Sequence, residues 1–337
     1  MKKSARIGNW ALSIVLLLTA GLTNCTRGPA LSVTSSALPT EKETTQTSAI
    51  HVTPYLSEDE STWIALVSSQ PGGETIYLAR PDGSQIIPLV AGSQPAWSPD
   101  GTQLAFVSWD QGTQKIFVIH VDGTGKTRLT DLPETAREQN PAWSPDGTQI
   151  AFEVHTTLPD EEMMQRSDIY IEALTGGKLR RLTDDTTLHT LYPAWSPDGS
   201  TFAVVALQGA TAELYCMNAD GTERRQLTSL NGGVWHPAWS PDGTQIAFGA
   251  EPPGEAGHSS IYLIQADGSN LIRLTNDPAR NDWEPTWSPS AKYIAYDATG
   301  ASGTRIGQFD VFVMAIDGST TWSLTIPPLP NSYDPDW

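Results

Sequence analysis

One repeated unit accounts for most of this sequence and constrains its fold more than any single motif. The segment Pro-Ala-Trp-Ser-Pro-Asp-Gly-Thr-Gln-Leu-Ala-Phe first appears at Pro95 and recurs at Pro141, Pro193 and Pro237, and in degenerate form at Pro285. A second segment, which contains Asp-Gly and then Arg-Leu-Thr in its clearest copy, alternates with the first and occurs six times. Repeats of roughly 20 to 50 residues indicate a fold in which each unit buries its apolar surface against its neighbours.

Six tryptophans, one in each unit, set the period of the repeat. They are Trp97, Trp143, Trp195, Trp239, Trp287 and Trp337, spaced 44 to 52 residues apart. This spacing is typical of propeller blades built from four short strands. Each unit divides into strand A (Pro-Ala-Trp), strand B (Ile-Ala-Phe), strand C (Ile-Tyr-Val) and strand D (Arg-Leu-Thr). Strand B is an uninterrupted apolar run, which indicates burial on both faces, and we expect the tryptophans to pack between blades.

The tetrapeptide between strands A and B predicts a tight hairpin. In Ser-Pro-Asp-Gly, serine favours the first position of a type I turn, proline fixes φ at the second, and glycine adopts a positive φ at the fourth. The aspartates of these turns, such as Asp100 and Asp146, are therefore expected to be structural. The fifth copy has Ala291 in place of glycine, so we expect either strain of about 1 kcal/mol or a changed turn type there.

The two ends of the repeat predict how the ring closes. The last unit stops at Trp337, the final residue of a strand A, whereas the first unit, from Ser61 to Leu66, begins with strand B. We therefore expect one split blade, with its inner strand from residues 331–337 and its other strands from residues 63–89. This arrangement closes the ring without an open blade edge. We predict an all-β fold: a six-bladed β-propeller of four-stranded antiparallel blades, closed by the C-terminal strand joining the N-terminal blade.

The repeat resembles the TolB-type, WD-like propeller repeat. The likeness rests on Trp-Ser-Pro-Asp-Gly-x-x-Ile-Ala-Phe and on Ile-Tyr followed by Asp-Gly and Leu-Thr, and it extends over residues 61–337. The resemblance implies a propeller but no single function, because similar repeats form the propellers of prolyl-oligopeptidase-type peptidases and oligogalacturonate lyases. TolB itself also has an N-terminal α/β domain before its propeller, whereas we expect only a tether here.

The first 25 residues have the layout of an export signal. Three basic residues precede an uncharged apolar stretch from Ile7 to Leu22, so we expect an extracytoplasmic mature chain. The end of this stretch resembles the lipobox of bacterial lipoproteins, which implies lipidation of Cys25 and a membrane anchor on the periplasmic side or at the cell surface. Asn24 departs from the small residue usual in that motif. Cleavage near Ala20 and an uncleaved anchor are the alternatives.

Composition and charge exclude several classes of protein. Residues 26–60 are rich in serine and threonine without apolar periodicity, which predicts a disordered tether with a reach of about 30 to 35 Å. The net charge of −18 has the wrong sign for a phosphate-backbone binder, so we expect no nucleic-acid partner. With Cys25 lipidated, Cys216 is the one remaining cysteine, and we expect it to act as a small apolar residue in a monomer.

Loop variation divides the propeller into a uniform face and an irregular face. The A–B and C–D turns share one face and are short and uniform, whereas the B–C and D–A loops share the other face and vary widely. Rigid scaffolds usually carry binding residues on such irregular loops. We therefore expect a partner-binding or ligand-binding site there. The candidate residues are Trp109, His155, His189, Trp235, His236, Asp282, Trp283, Glu284 and Asp334.

A polar ring is expected at the mouth of the central channel. We name the six residues immediately before the strand A prolines the collar: Gln94, Asn140, Tyr192, His236, Glu284 and Asp334. Trp109, Trp235 and Trp283 lie outside the one-per-blade series and fit either contact with a partner or capping of their own blades. Acidic loop residues, such as those at 160–162, are more often simply solvated.

The sequence has no catalytic signature beside the repeat. It contains no Gly-x-Ser-x-Gly, no phosphate-binding glycine loop and no zinc motif, and we expect no hydrolase domain after Trp337. We predict a non-catalytic, membrane-tethered propeller without a cofactor that binds a protein or peptide partner at the cell envelope. The alternative is a metal-dependent polysaccharide-binding protein or lyase, with a divalent cation held at the channel mouth by residues such as His236 and Glu284.

Overall fold

The regular structure of the described residues is entirely β-strand. The computed structural model describes residues 62–157, 165–185, 188–251, 254–255, 257–299, 309–324, 329 and 331–337, which form 24 strands. Within these ranges, no helix has the length and apolar character needed to cross a membrane. The predicted signal segment, the tether, Cys25 and the acidic residues 160–162 lie outside the described residues.

The strands form six four-stranded antiparallel sheets, and each sheet is one blade. From the inside outwards, blade 1 contains β24 (Ser332–Asp336), β1 (Ile64–Gln70), β2 (Gly73–Ala79) and β3 (Ile86–Ala91). Blade 2 contains β4 (Ser93–Trp97), β5 (Gln103–Asp110), β6 (Thr113–His120) and β7 (Thr127–Arg128). Blade 3 contains β8 (Ala136–Trp143), β9 (Gln149–Thr157), β10 (Gln165–Ala173) and β11 (Arg180–Arg181).

The remaining three blades follow in the same order. Blade 4 contains β12 (His189–Trp195), β13 (Thr201–Gln208), β14 (Thr211–Asn218) and β15 (Arg225–Gln226). Blade 5 contains β16 (Val234–Trp239), β17 (Gln245–Ala250), β18 (Ser260–Gln265) and β19 (Ile272–Arg273). Blade 6 contains β20 (Asn281–Trp287), β21 (Tyr293–Thr299), β22 (Phe309–Ala315) and β23 (Thr321–Ser323). The predicted six-bladed propeller with a split first blade is confirmed.

The described core is divided into six apolar clusters, one at each junction between neighbouring blades. Side chains of strand B alternate between the two faces of the blade, so each strand B contributes to two junctions. Between blades 2 and 3, for example, Val107 packs in one cluster with Ile150 and Phe152. Between blades 6 and 1, Val313 packs in one cluster with Ile64. The junction that joins the two ends of the ring is therefore packed like the others.

Four of the six repeat tryptophans donate an indole hydrogen bond to the blade before their own, whereas Nε1 of Trp195 has no hydrogen-bond partner among the described residues. The indole N–H of Trp143 donates to the carbonyl oxygen of Ala96 in the preceding blade at 3.0 Å. Equivalent bonds join Trp239 to Ala194 at 3.2 Å, Trp287 to Ala238 at 3.1 Å and Trp97 to Asp336 at 3.2 Å. The predicted packing of the repeat tryptophans between blades is confirmed, and a directional bond accompanies it. Trp337 differs, because its indole N–H donates to Thr62 of its own blade at 2.7 Å.

The Ser-Pro-Asp-Gly hairpin has the predicted conformation. In the first copy, the N–H of Gly101 donates to the carbonyl of Ser98 at 2.8 Å, and glycine adopts a φ of 67°. Asp100 accepts bonds from the Ser98 hydroxyl and the Thr102 N–H, and these bonds lower the pKa of Asp100. In the degenerate copy, Ala291 keeps the equivalent bond at 2.9 Å with a φ of 60°. The turn type is therefore retained, and alanine occupies the left-handed region.

Two departures from the repeat hold the closing seam together. Thr286 and Asp336 stand where the other four units have alanine. Asp336 Oδ2 accepts a bond from the backbone N–H of Trp97 in blade 2 at 2.6 Å. The hydroxyl of Thr286 in blade 6 donates to Asp336 Oδ1 at 3.4 Å and accepts from the N–H of Trp337 at 3.3 Å. Strand β24 thus bonds to the blades on both of its sides as well as to β1.

Removal of residues 331–337 should lower the melting temperature by roughly 10 °C or more, because it opens the ring at the junctions of blade 1 with blades 2 and 6. Thermal unfolding followed by circular dichroism measures this change. A synthetic peptide of residues 331–337 added to the truncated chain should raise the melting temperature again, whereas a scrambled peptide should not. An unchanged melting temperature after truncation would show that the ring does not depend on β24.

Candidate functional site

Each innermost strand bends at the same position, and these bends form the collar. The register between strands A and B shifts around each collar residue, for example between Gln139 and Ala142 in blade 3. All six collar residues adopt a positive φ, between 43° and 54°. The proline after each of them has no N–H to donate, which the innermost strand tolerates because it is an edge of its sheet. A β-bulge of this kind re-aims the side chain of the bulged residue.

The collar lines a central cavity of about 310 Å³. The Pro-Ala-Trp segments of the blades form its walls, together with Thr286 and Asp336 where the sequence departs from alanine. The structure brings the collar residues together although 240 positions separate Gln94 from Asp334. Neither lysine nor arginine occurs among the described residues that line the cavity. Its side chains are therefore neutral or acidic, apart from His236.

Several collar backbones are bonded to side chains of the preceding blade. The N–H of Gln94 donates to Asp334 Oδ2 at 3.2 Å, and the N–H of Asn140 donates to Gln94 Oε1 at 2.9 Å. The N–H of Asp334 donates to the carboxyl group of Glu284. The N–H of Tyr192 donates to Oε1 of Glu153, which lies one strand behind the collar. Four of the six collar N–H groups are thus bound within the protein.

Glu153 connects the collar to two of the predicted histidines. Its Oε1 accepts a bond from the side-chain amide of Asn140 at 2.8 Å, and its Oε2 lies 2.8 Å from Nε2 of His155. The other ring nitrogen of His155 lies 2.8 Å from the hydroxyl of Ser167, whose N–H donates to Nδ1 of His189 at 3.4 Å. Burial lowers the pKa of His189. His155 and His189 therefore belong to a network between blades 3 and 4.

An acidic group occupies the opposite side of the collar. The carboxyl groups of Glu284 and Asp334 are hydrogen-bonded to each other. Nδ1 of His236 lies 2.9 Å from Glu284 Oε1, but the two atoms are not aligned for a hydrogen bond. Burial raises the pKa of Asp334 well above its ordinary range, raises the pKa of Glu284, and lowers the pKa of His236 to about 4. Burial thus favours the neutral form of each group, and the hydrogen bond between the two carboxyl groups requires a proton between them.

Three carboxylates at or near the cavity are absent from the residues predicted from the sequence. Glu153 and Asp297 occupy equivalent positions in strand B of blades 3 and 6, and Asp336 replaces the alanine of the last unit. Asp297 is 2% exposed, and burial followed by the charges of Glu284 and Asp334 raises its pKa well above the ordinary value. A signal was available: an acidic residue interrupts the apolar run of strand B in these two copies, where the others have valine or glycine.

Two of the three additional tryptophans lie together beside the collar. Trp235 and Trp283 immediately precede collar residues in blades 5 and 6, and their ring centroids are 4.9 Å apart. The ring of Trp235 lies so close to Gly233 that a β-carbon there would be 2.2 Å from it, so the tryptophan needs glycine at that position. Both side chains are half-buried. Trp109 is separate from this pair, in β5 of blade 2, and is 67% exposed.

The assignment of these residues to irregular loops was partly wrong. Trp109 lies in a strand that turns at Gln111 and Gly112, so the B–C connection of blade 2 is a tight hairpin. His155, His189 and the collar residues also lie in strands, because the bulges extend strand A further than the motif suggests. Asp282 is 1% exposed, with Oδ1 3.0 Å from Nε of Arg280. Its carboxylate is therefore engaged inside blade 6.

The described residues contain no cluster of three or more histidine, cysteine, aspartate or glutamate side chains arranged to hold a metal ion. The nearest approach to such a set in the collar is His236 with Glu284 and Asp334, and the last two are bonded to each other. Cys216, on β14, is buried, and burial raises the pKa of its thiol to about 11. The thiol is therefore protonated and unreactive at neutral pH.

Comparison with known proteins identifies relatives of the repeat. The model of the TolB beta propeller domain matches residues 40–157 and 161–256, which is more than half of the chain. The TolB homologue of Chlorobium luteolum is 30% identical over 159 residues, which cover 46% of this chain and 34% of that protein. An uncharacterised protein of Agrobacterium fabrum is 30% identical over 119 residues, covering 35% and 39% of the two chains. The chain thus spans little more than a third of these relatives.

Solved structures agree with the fold. The crystal structure of TolB from Acinetobacter baumannii superposes with a TM-score of 0.69 at 22% identity, over 83% of this chain and 67% of that one. At this level of identity the match supports the propeller architecture alone. The chemistry of the cavity has to be inferred from the residues of this chain.

The replacement Asp336→Asn should reveal the burial of this cavity carboxylate in the pH dependence of stability. Burial raises the pKa of Asp336 to about 6, above the ordinary value of 3.8. Below about pH 4 the group is protonated in the folded and unfolded chains, so the variant should match the wild type. Between about pH 4 and 6 the unfolded chain ionises this group while the folded chain keeps it protonated, so the wild type loses about 1 to 3 kcal/mol of stability, and the loss is complete above the folded pKa. Urea unfolding at about pH 7.5 should therefore find the variant more stable by that amount.

Asp146→Asn is the matched control with the opposite sign. Hydrogen bonds from the Ser144 hydroxyl, and then from Thr148, lower the pKa of Asp146. The ionised form is stabilised in the folded chain, so this variant should lose stability at neutral pH, and the difference should shrink as the pH falls through the folded pKa. Equal pH profiles for the two variants would contradict the assigned burial of Asp336.

Proposed function

The chain belongs to the TolB β-propeller domain family, and on that basis we propose that it is a non-catalytic, membrane-tethered propeller that binds a protein or peptide partner at the outer side of a membrane. The observation that carries this proposal is the aromatic pair Trp235–Trp283 directly beside the acidic central cavity. Tryptophan is enriched among the residues that dominate binding at protein interfaces. A half-buried pair next to a cavity can hold an extended segment while the cavity accepts one of its side chains.

The rigidity of the ring supports a binding role. The collar residues lie on strands whose bulges, prolines and cross-blade bonds hold the backbone in place. A preformed site binds without the entropic cost of ordering its own loops. The partner is therefore expected to adapt to the propeller rather than the reverse.

The contacts of Ser167 support a non-catalytic role. Its hydroxyl lies 2.8 Å from His155, which in turn lies 2.8 Å from Glu153, an order that resembles a nucleophile with its base and orienting acid. Ser167 is 4% exposed, however, and its own N–H is bound to His189. A substrate carbonyl has no access to a hydroxyl buried in this way. The three side chains instead hold Glu153 in position for the collar.

The double replacement of Trp235 and Trp283 by alanine should abolish capture of the partner. Tryptophans of this kind contribute about 2 to 4 kcal/mol each to binding, so the affinity should fall at least thirtyfold. The measurement is crosslinking of the tagged protein in its native cells, followed by identification and quantification of the crosslinked species.

Ile272→Ala is the matched control, because Ile272 is 52% exposed on the outermost strand of blade 5, away from the collar. Capture should persist in this variant, and melting temperatures of both variants establish that the ring is intact. Undiminished capture by the double tryptophan variant would refute the proposed site, and loss in Trp109→Ala alone would move it to blade 2.

The lipid anchor has a separate test at Cys25, in the sequence Leu-Thr-Asn-Cys. Cys25→Ser should move the protein from the membrane fraction to the soluble fraction and abolish incorporation of radioactive palmitate, because one acylated cysteine supplies the lipid chains of the anchor. Cys216→Ser is the control, since that thiol is buried in the propeller. Retention of membrane association and of palmitate by the Cys25 variant would overturn the proposed anchor.

A further inference from the structure

The wall of the central cavity offers many hydrogen-bond acceptors and few free donors. Each strand A places a proline in the wall, and proline has a carbonyl group but no N–H. The N–H groups of Gln94, Asn140, Tyr192 and Asp334 are bound to side-chain oxygens of the protein. A ligand that satisfies this wall must therefore bring donors rather than acceptors.

Four carboxyl groups concentrate on the side of the cavity formed by blades 6 and 1. Glu284, Asp334 and Asp336 line the cavity directly. Asp297 lies behind them, close enough for the charges of Glu284 and Asp334 to raise its pKa. No described lysine or arginine lines the cavity, so these carboxyl groups have no permanently charged cation as a partner there.

Asp297 carries a buried oxygen that the protein leaves unbonded. The residue is 2% exposed, and its Oδ1 has no hydrogen-bond partner among the described residues. Asp297 occupies the position in β21 that is equivalent to Glu153 in β9. The side chain of Glu153 bonds to the collar residues Asn140 and Tyr192. Asp297 is therefore directed towards the collar of its own side. A buried acceptor without a donor is unfavourable, and a cation held by the carboxyl groups in front of Asp297 would offset this cost.

We propose that the central cavity binds a basic side chain, lysine or arginine, of the partner peptide, with Glu284 and Asp334 as the lining carboxyl groups that receive it and Asp297 behind them as a further acidic group. This inference rests on the proposed function, since it specifies which part of a partner enters the cavity. Ammonium and guanidinium groups carry donors and no acceptors, so they match a wall of carbonyl and carboxylate oxygens. A cavity of about 310 Å³ has room for one extended side chain.

Binding should be coupled to proton release. The titratable groups that line this part of the cavity are Tyr192 on β12, His236 on β16, Glu284 on β20, and Asp334 and Asp336 on β24. Four more lie close enough to interact with them electrostatically: Glu153 on β9, Asp282 on β20, Asp297 on β21 and Tyr333 on β24. Without a ligand, burial and then mutual repulsion disfavour ionisation of these carboxyl groups. A bound cation replaces those protons, so the affinity should rise with pH.

The experiment uses the purified protein and acetylated, amidated pentapeptides Gly-Ser-Xaa-Ser-Gly, with arginine, lysine or citrulline at Xaa, in isothermal titration calorimetry. The arginine or lysine peptide should bind, and the citrulline peptide, which keeps the shape of arginine without its charge, should bind at least tenfold more weakly. The affinity of the basic peptide should be at least tenfold higher at about pH 7.5 than at about pH 5. Equal binding of the citrulline peptide, or no binding of any basic peptide, would overturn the proposal.

The variants Asp297→Asn and Glu284→Gln should each weaken binding of the basic peptide at least tenfold. Each replacement retains the shape of the side chain and removes one group that can ionise when a cation binds, so the ring should stay folded, as the melting temperature will show. Glu223→Gln is the matched control, because Glu223 is exposed and lies outside the cavity lining. If this control weakens binding as much as Asp297→Asn does, the peptide binds through general surface charge and the proposal is wrong.

Two further outcomes separate this inference from its alternatives. If calcium or manganese ions alone raise the melting temperature as much as the basic peptide, the cavity is a metal site and the proposal is overturned. Capture of a cellular partner that needs Trp235 and Trp283 but is unaffected by Asp297→Asn and Glu284→Gln would also overturn it and leave the proposed function standing. Binding of the basic peptide without any captured partner would support the cavity assignment and remove the proposed function.

Discussion

Every other feature of this molecule depends on the burial of blade faces against neighbouring blades. A single four-stranded blade has apolar residues on both faces of strand B and cannot cover them alone. The six junctions each contain their own apolar cluster, so every blade buries apolar residues against both of its neighbours. In four of the six blades the indole N–H of the repeat tryptophan adds a hydrogen bond to the preceding blade.

The same closure creates the cavity. Six inner strands that meet around an axis leave their inner edges unpaired, and an unpaired edge exposes backbone donors and acceptors. Proline removes one donor from each edge, and the bulge before it turns the collar residue so that its N–H can bond to the preceding blade. The proline carbonyl groups remain in the wall as hydrogen-bond acceptors. The chemical character of the cavity is therefore a result of how the fold protects its inner edge, before any particular side chain is considered.

Acidic side chains then distinguish one side of this ring from the other. In blade 3, the glutamate at the second strand is fully bonded, to Asn140, Tyr192 and His155. In blade 6, the equivalent Asp297 is shorter and faces Glu284 and Asp334, so its oxygen is left without a donor. One position of the repeat thus serves as a structural brace in one blade and as part of an anionic group in the blade opposite to it.

Much of the fold could be predicted, because the same pattern of strands and turns is encoded in six copies of the repeat. The period of the tryptophans predicted the blades, Ser-Pro-Asp-Gly predicted the hairpins, and the incomplete units at both ends predicted the split blade. The collar positions followed from their place before the strand A prolines. The bulges themselves did not, because a positive φ at six different residue types has no common side-chain signal. Glu153 and Asp297 interrupt apolar runs, and this signal is visible in the sequence. The sequence of a single strand does not indicate which residues of other strands such a carboxylate contacts.

The number of blades, the strand order within each blade and the way the ring closes can all be read from the amino-acid sequence, because local turn chemistry and apolar periodicity specify each unit separately. Which polar residues meet at the axis depends on the assembled ring. Residues as distant as Gln94 and Asp334 become hydrogen-bonded neighbours only after the ring has closed. Their protonation depends on burial and on charges contributed by other blades, and no single repeat contains that information.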